Sequence, residues 1–146
     1  MNSDKFEKAA NACACSNIRK ASRVVTQLFD QSLEPSGLRS TQLIILLEIA
    51  IARSTTIPQL ARRLIMDRST LTRNLKPLAK RGLLKVDAIK GRRSQSYILS
   101  AKGWKTLHKA VPLWERAQTR FVNGLGEKQW HTLLVSLTSA ITAARG

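Results

Sequence analysis

The chain has 146 residues, 43% of them apolar, enough for one domain with a real core and too apolar for a disordered chain. Twenty-five Lys and Arg against nine Asp and Glu give a formal charge of +16, which suits a polyanion: nucleic acid first, an acidic membrane surface second. No stretch approaches the ~18 apolar residues of a membrane span, the polar start lacks the apolar core of a signal peptide, and two cysteines do not make a disulfide scaffold. The expected location is cytoplasmic.

In chain order, the first predicted helix covers about 10–33, with Ile18, Val25, Leu28 and Phe29 as its apolar stripe. A second, about 41–52, is apolar nearly all round and so is expected to be central and buried, with Ser40 as its N-cap. A third, about 57–64, follows Thr56 and carries Pro58 in its first turn, where a missing N–H costs little. The fourth starts after Asp67, a favoured N-cap residue, and stops near Gly82. Two extended segments, 83–88 and 95–100, flank a loop rich in Gly, Lys and Arg and read as a hairpin. Two long helices close the chain, about 101–122 after a Ser100 cap and about 127–144. Their stripes are Leu107, Val111, Trp114 and Phe121, then Leu133, Leu134, Leu137 and Ile141.

This order predicts a mainly α fold with a small β-hairpin wing: a winged helix-turn-helix lobe over 37–100, flanked by helices 1–36 and 101–146, all in one domain. The outer helices carry more apolar surface than so small a centre can cover. Such a surplus is normally buried against a second copy with two-fold symmetry, so the flanking helices are assigned to dimerisation.

The fourth helix carries the functional signal. Leu71, Leu75 and Leu78 share one face, while Ser69, Thr72, Arg73 and Lys76 fall at i, i+3, i+4 and i+7 on another. Residues 62–93 hold eleven basic and two acidic side chains, a local excess of nine, with no aromatic to anchor a lipid boundary. A recognition helix enters the major groove by its N-terminal part. Ser69, Thr70 and Thr72 are therefore assigned to phosphates or base edges, Arg73 to guanine, Lys76 to phosphate, and Arg68, at the entrance, to either. Pro77 removes a helix bond to the carbonyl of Arg73 and is expected to bend or loosen the helix there. At the hairpin tip Lys90, Arg92 and Arg93 are placed to meet the backbone or the minor groove.

These segments resemble the MarR family of bacterial winged-helix repressors. The stretch "GLRSTQLIILLEIA" looks like the family's second helix, "TIPQLARRLIMDRSTLTRNLKPLAKRGLL" like its helix-turn-helix, and "GRRSQSYILSAKG" like its wing and fifth helix. The resemblance implies a homodimer on double-stranded DNA, a near-palindromic operator, and release by a small molecule or oxidant. The family's wing reads Asp-x-Arg; here those positions are Gly91 and Arg93, so the wing arginine is kept without its aspartate brace.

From Cys15 to Gln42 the resemblance extends to the family's organic-hydroperoxide-sensing branch, whose reactive cysteine falls on Cys15. The two tyrosines that support the thiolate there are Arg19 and Phe29 here. Within one helix Cys13 and Cys15 would point about 200° apart, too divergent to clamp one ion. With His108 and His131 remote, no metal or other cofactor is expected. The leading expectation is a DNA-binding repressor released by a small-molecule inducer. A first alternative is a redox sensor using Cys15 with Cys13 as partner; another takes a small aromatic acid on Arg19 or Arg23; the remotest is a non-specific architectural DNA binder. No nucleophile–base pair or phosphate loop suggests an enzyme.

Overall fold

The structure is a computed structural model, describing residues 3–91 and 93–146. Among the described residues seven α-helices and three strands follow in the order α1 (Ser3–Ala12), α2 (Ala14–Leu33), α3 (Ser40–Ala52), β1 (Thr55–Thr56), α4 (Ile57–Leu64), α5 (Arg68–Lys80), β2 (Leu84–Ala88), β3 (Gln95–Leu99), α6 (Ala101–Leu125) and α7 (Glu127–Arg145), with a short 3-10 helix, Glu34–Ser36, between α2 and α3. The mainly helical winged fold expected from the sequence is present.

The core sits where α3, α4, α5 and the sheet meet the start of α6. Leu43, Ile45, Leu46, Ile49, Leu60, Leu71, Leu75, Leu78 and Leu83 are all essentially excluded from solvent there. Each such side chain contributes roughly 1.5–3 kcal/mol through burial. The leucine face of α5 is thus fastened, and its opposite face is left to solvent.

Caps set the helix boundaries around the site. Thr56 and Gln59 form a reciprocal box: the Gln59 N–H donates to Thr56 Oγ1 at 3.4 Å and the Thr56 N–H to Gln59 Oε1 at 3.0 Å. At the far end of α5, Gly82 takes φ +74° and the Leu83 N–H donates to the Leu78 carbonyl at 3.0 Å, closing the helix.

Several expectations are corrected. The single helix over 10–33 is two helices, because Cys13 takes an extended ψ of 114° and caps α2. The N-cap of α3 is Arg39, not Ser40: the Arg39 N–H donates to Gln42 Oε1 at 3.0 Å, and the Ser40 N–H is held by Asp30 at 2.7 Å. α3 is not buried all round, since Ile44 and Ile51 are exposed. The hairpin is part of a three-stranded antiparallel sheet in the order β1-β3-β2, with Thr55 opposite Tyr97 and Val86 opposite Tyr97 on the other side. As expected, α5 runs on through Pro77 and stops just before Gly82, with the proline exposed.

Candidate nucleic-acid interface

Asp67 organises the start of α5. Its Oδ1 accepts from the Thr70 backbone N–H at 2.8 Å and from the Ser69 hydroxyl at 2.6 Å, and its Oδ2 accepts from the Thr70 hydroxyl at 2.7 Å. The Ser69 and Thr70 hydroxyls and the Thr70 N–H, with the Arg73 charge nearby, hold the Asp67 carboxyl well below the usual carboxylate range. The sequence marked Asp67 as a cap only; the two extra hydroxyl bonds depend on Ser and Thr at the second and third helical positions.

Six of the residues assigned to DNA lie in the first three turns of α5. Arg68, Ser69, Arg73 and Lys76 are exposed, and Thr72 is half-buried with its hydroxyl donating to the Arg68 carbonyl at 2.8 Å. Thr70 is engaged by its own helix neighbours. Half-buried, it accepts from Arg73 Nη2 at 3.2 Å while donating to Asp67, so it links the arginine to the cap. Of the wing residues, Lys90 and Arg93 are exposed, and Arg92 lies outside the described residues. Gly91 takes φ +76°, a backbone region that suits glycine and lets the hairpin turn.

Not every cation near α5 faces outward for a ligand. Arg63 Nε donates to Glu48 Oε2 at 2.6 Å, tying α4 to α3. Arg81 Nη1 donates to the Gly37 carbonyl at 3.0 Å, bridging the end of α5 to the turn before α3. The charge count alone could not distinguish these two from the remaining basic residues.

Away from this surface, α2, α3 and α6 enclose a cleft of about 260 Å³ lined by Val25, Phe29, Leu43, Ile44, Leu47 and Trp114, with Thr26 and Ser40 as its polar groups. Arg19 and Arg23 are exposed and do not line it. Cys13 and Cys15 are both exposed, and Cys13 Sγ accepts from the Ser16 N–H at 3.4 Å. Because Cys13 sits at a break between helices, the divergence expected within one helix does not apply to the pair. Among the described residues no three His, Cys, Asp or Glu side chains gather as a metal site, and no helix is long and apolar enough to cross a membrane.

Comparison with known proteins follows the same lines. A model of the MarR family matches residues 36–94. The M. tuberculosis transcriptional regulator MosR is 35% identical, with a TM-score of 0.83 over 94% of this chain and 98% of that one. MosR in complex with DNA is 37% identical, with a TM-score of 0.80 over 92% of this chain and 99% of that one. A mutant of E. coli MarR bound to operator DNA shares the fold at 19% identity, with a TM-score of 0.82 over 90% and 96% of the two chains. No curated protein matches the chain. The winged lobe, its exposed basic helix and full-length similarity to a relative above 30% identity together place this chain in the MarR family of DNA-binding transcriptional regulators.

Proposed function

We propose that the protein is a homodimeric, sequence-specific repressor that binds a near-palindromic operator in double-stranded DNA. The observation that carries this is the division of α5. Leu71, Leu75 and Leu78 are locked in the core, while Ser69, Arg73 and Lys76 stand exposed on the other side. Arg73 reads guanine, Lys76 and Arg68 hold phosphate, the hydroxyls of Ser69, Thr70 and Thr72 complete the surface, and Arg93 extends it at the wing.

Residues 37–100 form the DNA-binding lobe in this reading, and 1–36 with 101–146 the dimerisation helices. Its support is apolar surface that finds no cover within one chain: Ile18 is 51% exposed, Val24 66% and Val135 68%, and α7 has no buried residue. The protein works in the cytoplasm and has no enzymatic role.

Release is assigned to a small molecule in the α2–α3–α6 cleft. Its lining carries no charged side chain, which favours a neutral aromatic compound over the aromatic acid expected from Arg19 and Arg23. A second reading, thiol-based sensing, is favoured by the exposure of Cys13 and Cys15 in a residue type that is usually buried.

The test is fluorescence anisotropy on DNA from upstream of the protein's own gene, with unrelated DNA as competitor, before and after an organic hydroperoxide. Tight, selective binding supports the repressor, and equal affinity for the competitor refutes sequence specificity. Binding lost on oxidation in the wild type but retained by Cys15→Ser assigns the switch to that thiol. Equal responses of the two proteins remove it from that role.

A further inference from the structure

The hydroxyl groups of the recognition surface have only one sense of hydrogen bonding left to offer. Hydrogen positions follow here from the chemistry of the partners. An ionised carboxylate and a backbone carbonyl can only accept, so a hydroxyl bonded to either must donate its single proton. Ser69 donates to Asp67 Oδ1 at 2.6 Å, and Thr72 donates to the Arg68 carbonyl at 2.8 Å. What each presents outward is a pair of oxygen lone pairs. Both lie on the α5 face that carries Arg73 and Lys76, and Ser69 is exposed.

An acceptor facing DNA discriminates sharply between targets. Phosphate oxygens, guanine O6 and N7, and thymine O4 are acceptors and cannot bond to it. The major-groove donors are the exocyclic amino groups, adenine N6 and cytosine N4. Arg73, which can only donate, has the opposite preference. We infer that Ser69 and Thr72 are specificity-determining residues that read adenine or cytosine amino groups rather than phosphates, with their polarity set by Asp67 and the Arg68 carbonyl. The inference rests on the proposed sequence-specific use of α5 and assigns the sense of its contacts.

Asp67 is thereby explained as well. An exposed carboxylate at the entrance of a helix that meets a polyanion is electrostatically unfavourable for binding. Its oxygens are occupied by the Thr70 N–H and the Ser69 and Thr70 hydroxyls, so it acts on the DNA through those groups, as a positioning residue.

The test pairs protein and DNA changes. A duplex selected by the wild-type protein from a randomised pool is resynthesised with single adenines replaced by purine, or single cytosines by 2-pyrimidinone, each lacking the amino group. Anisotropy then gives the affinity of wild type, Ser69→Ala and Thr72→Val for each duplex. The wild type is expected to lose about fivefold at the amino groups it reads, and the variant lacking the matching hydroxyl to be indifferent to that same replacement. Both variants change one small side chain outside the buried core, and circular dichroism melts check that they fold.

The inference is overturned if the wild type is selective yet unaffected by loss of any amino group. It is also overturned if the variants weaken binding to every duplex equally, the mark of a phosphate contact. Selection that yields no preferred duplex overturns the inference together with the reading beneath it, and is recognised before any variant is compared.

Discussion

Ile65 ends α4 with φ 52° and ψ 49°, a left-handed conformation that a β-branched side chain adopts only under strain. The strain makes the tight turn between α4 and α5, and the side chain is 53% exposed, so little burial compensates it. Ile65→Asn, which tolerates this region, should stabilise the fold by about 1 kcal/mol and raise Tm by roughly 2–4 °C; a lower Tm in a thermal melt would show that the remaining isoleucine contacts outweigh the strain. Asp67 brings a pH dependence. Its folded pKa is lowered, so its contribution is complete above the unfolded carboxylate value of about 3.9 and is lost as pH falls below it. Asp67→Asn keeps the cap but has no proton to gain. Its stability between about pH 5 and 2 should therefore fall less steeply than that of the wild type in parallel urea titrations; parallel slopes would remove Asp67 from the acid response. The two exposed cations of α5 should separate by role. Arg73→Ala should lose about tenfold or more in discrimination at particular base pairs, while Lys76→Ala should weaken all sequences alike and reduce the salt slope by about one. Both effects at one residue would undo the assignment.

Elements transmit these residue-scale details to the rest of the chain through few contacts. The start of α6 is joined to the turn between α5 and β2. The Ser100 N–H donates to the Leu83 carbonyl at 3.0 Å, the Ser100 hydroxyl to the Gly82 carbonyl, and Lys102 Nζ to the Arg81 carbonyl at 2.8 Å. Gly103 allows this approach, because a Cβ there would lie 2.1 Å from the Leu83 carbonyl oxygen. Gly103→Ala must push α6 away from backbone rather than from a flexible side chain, and should cost about 1–3 kcal/mol, measurable by urea denaturation; an unchanged midpoint would mean α6 is free to slide. The same element shows which structure is legible in a sequence. Ser100, Thr56 and Asp67 are strong capping residues followed by regular periodicity, so α4, α5 and the start of α6 could be placed from residues alone. Cys13 is a rare cap between two helical stretches, and nothing local marks the break there. β1 has two residues, and its strand identity comes from pairing with β3 some forty residues away, a tertiary fact that local pattern does not contain. The cap of α3 falls at Arg39 rather than Ser40 because Gln42 reaches back from within the helix to the Arg39 N–H. On the recognition surface the outward face was legible from spacing. The internal use of Arg63 and Arg81 was not, because each depends on where a partner from another position in the fold comes to lie.

At the scale of the whole molecule, charge and apolar surface have to be satisfied together. A net charge of +16 opposes association of two copies, so a dimer needs a sizeable apolar contact to form at all. The exposed Leu134, Leu137 and Ile141 of α7 provide a stripe at i, i+3 and i+7, and Ile18 and Val24 add apolar surface on α2. Phe121 and Trp130, edge to face at 5.8 Å, fix α7 against α6 within the chain, so the stripe is held by the protomer's own packing. Leu137→Glu places a charge in that stripe at a position 40% exposed in the single chain, where the protomer should tolerate it. The proposed dimer should not: sedimentation equilibrium is expected to show a shift to monomer, with Tm becoming less dependent on protein concentration. Affinity for a two-half-site duplex should fall about 100-fold or more, because the second half-site is no longer delivered at high effective concentration, while affinity for an isolated half-site changes little. A variant that stays dimeric would move the interface off α7. A variant that is monomeric yet binds the full site as tightly as the wild type would separate dimerisation from DNA recognition, since α5 and the wing would then suffice without two-fold geometry.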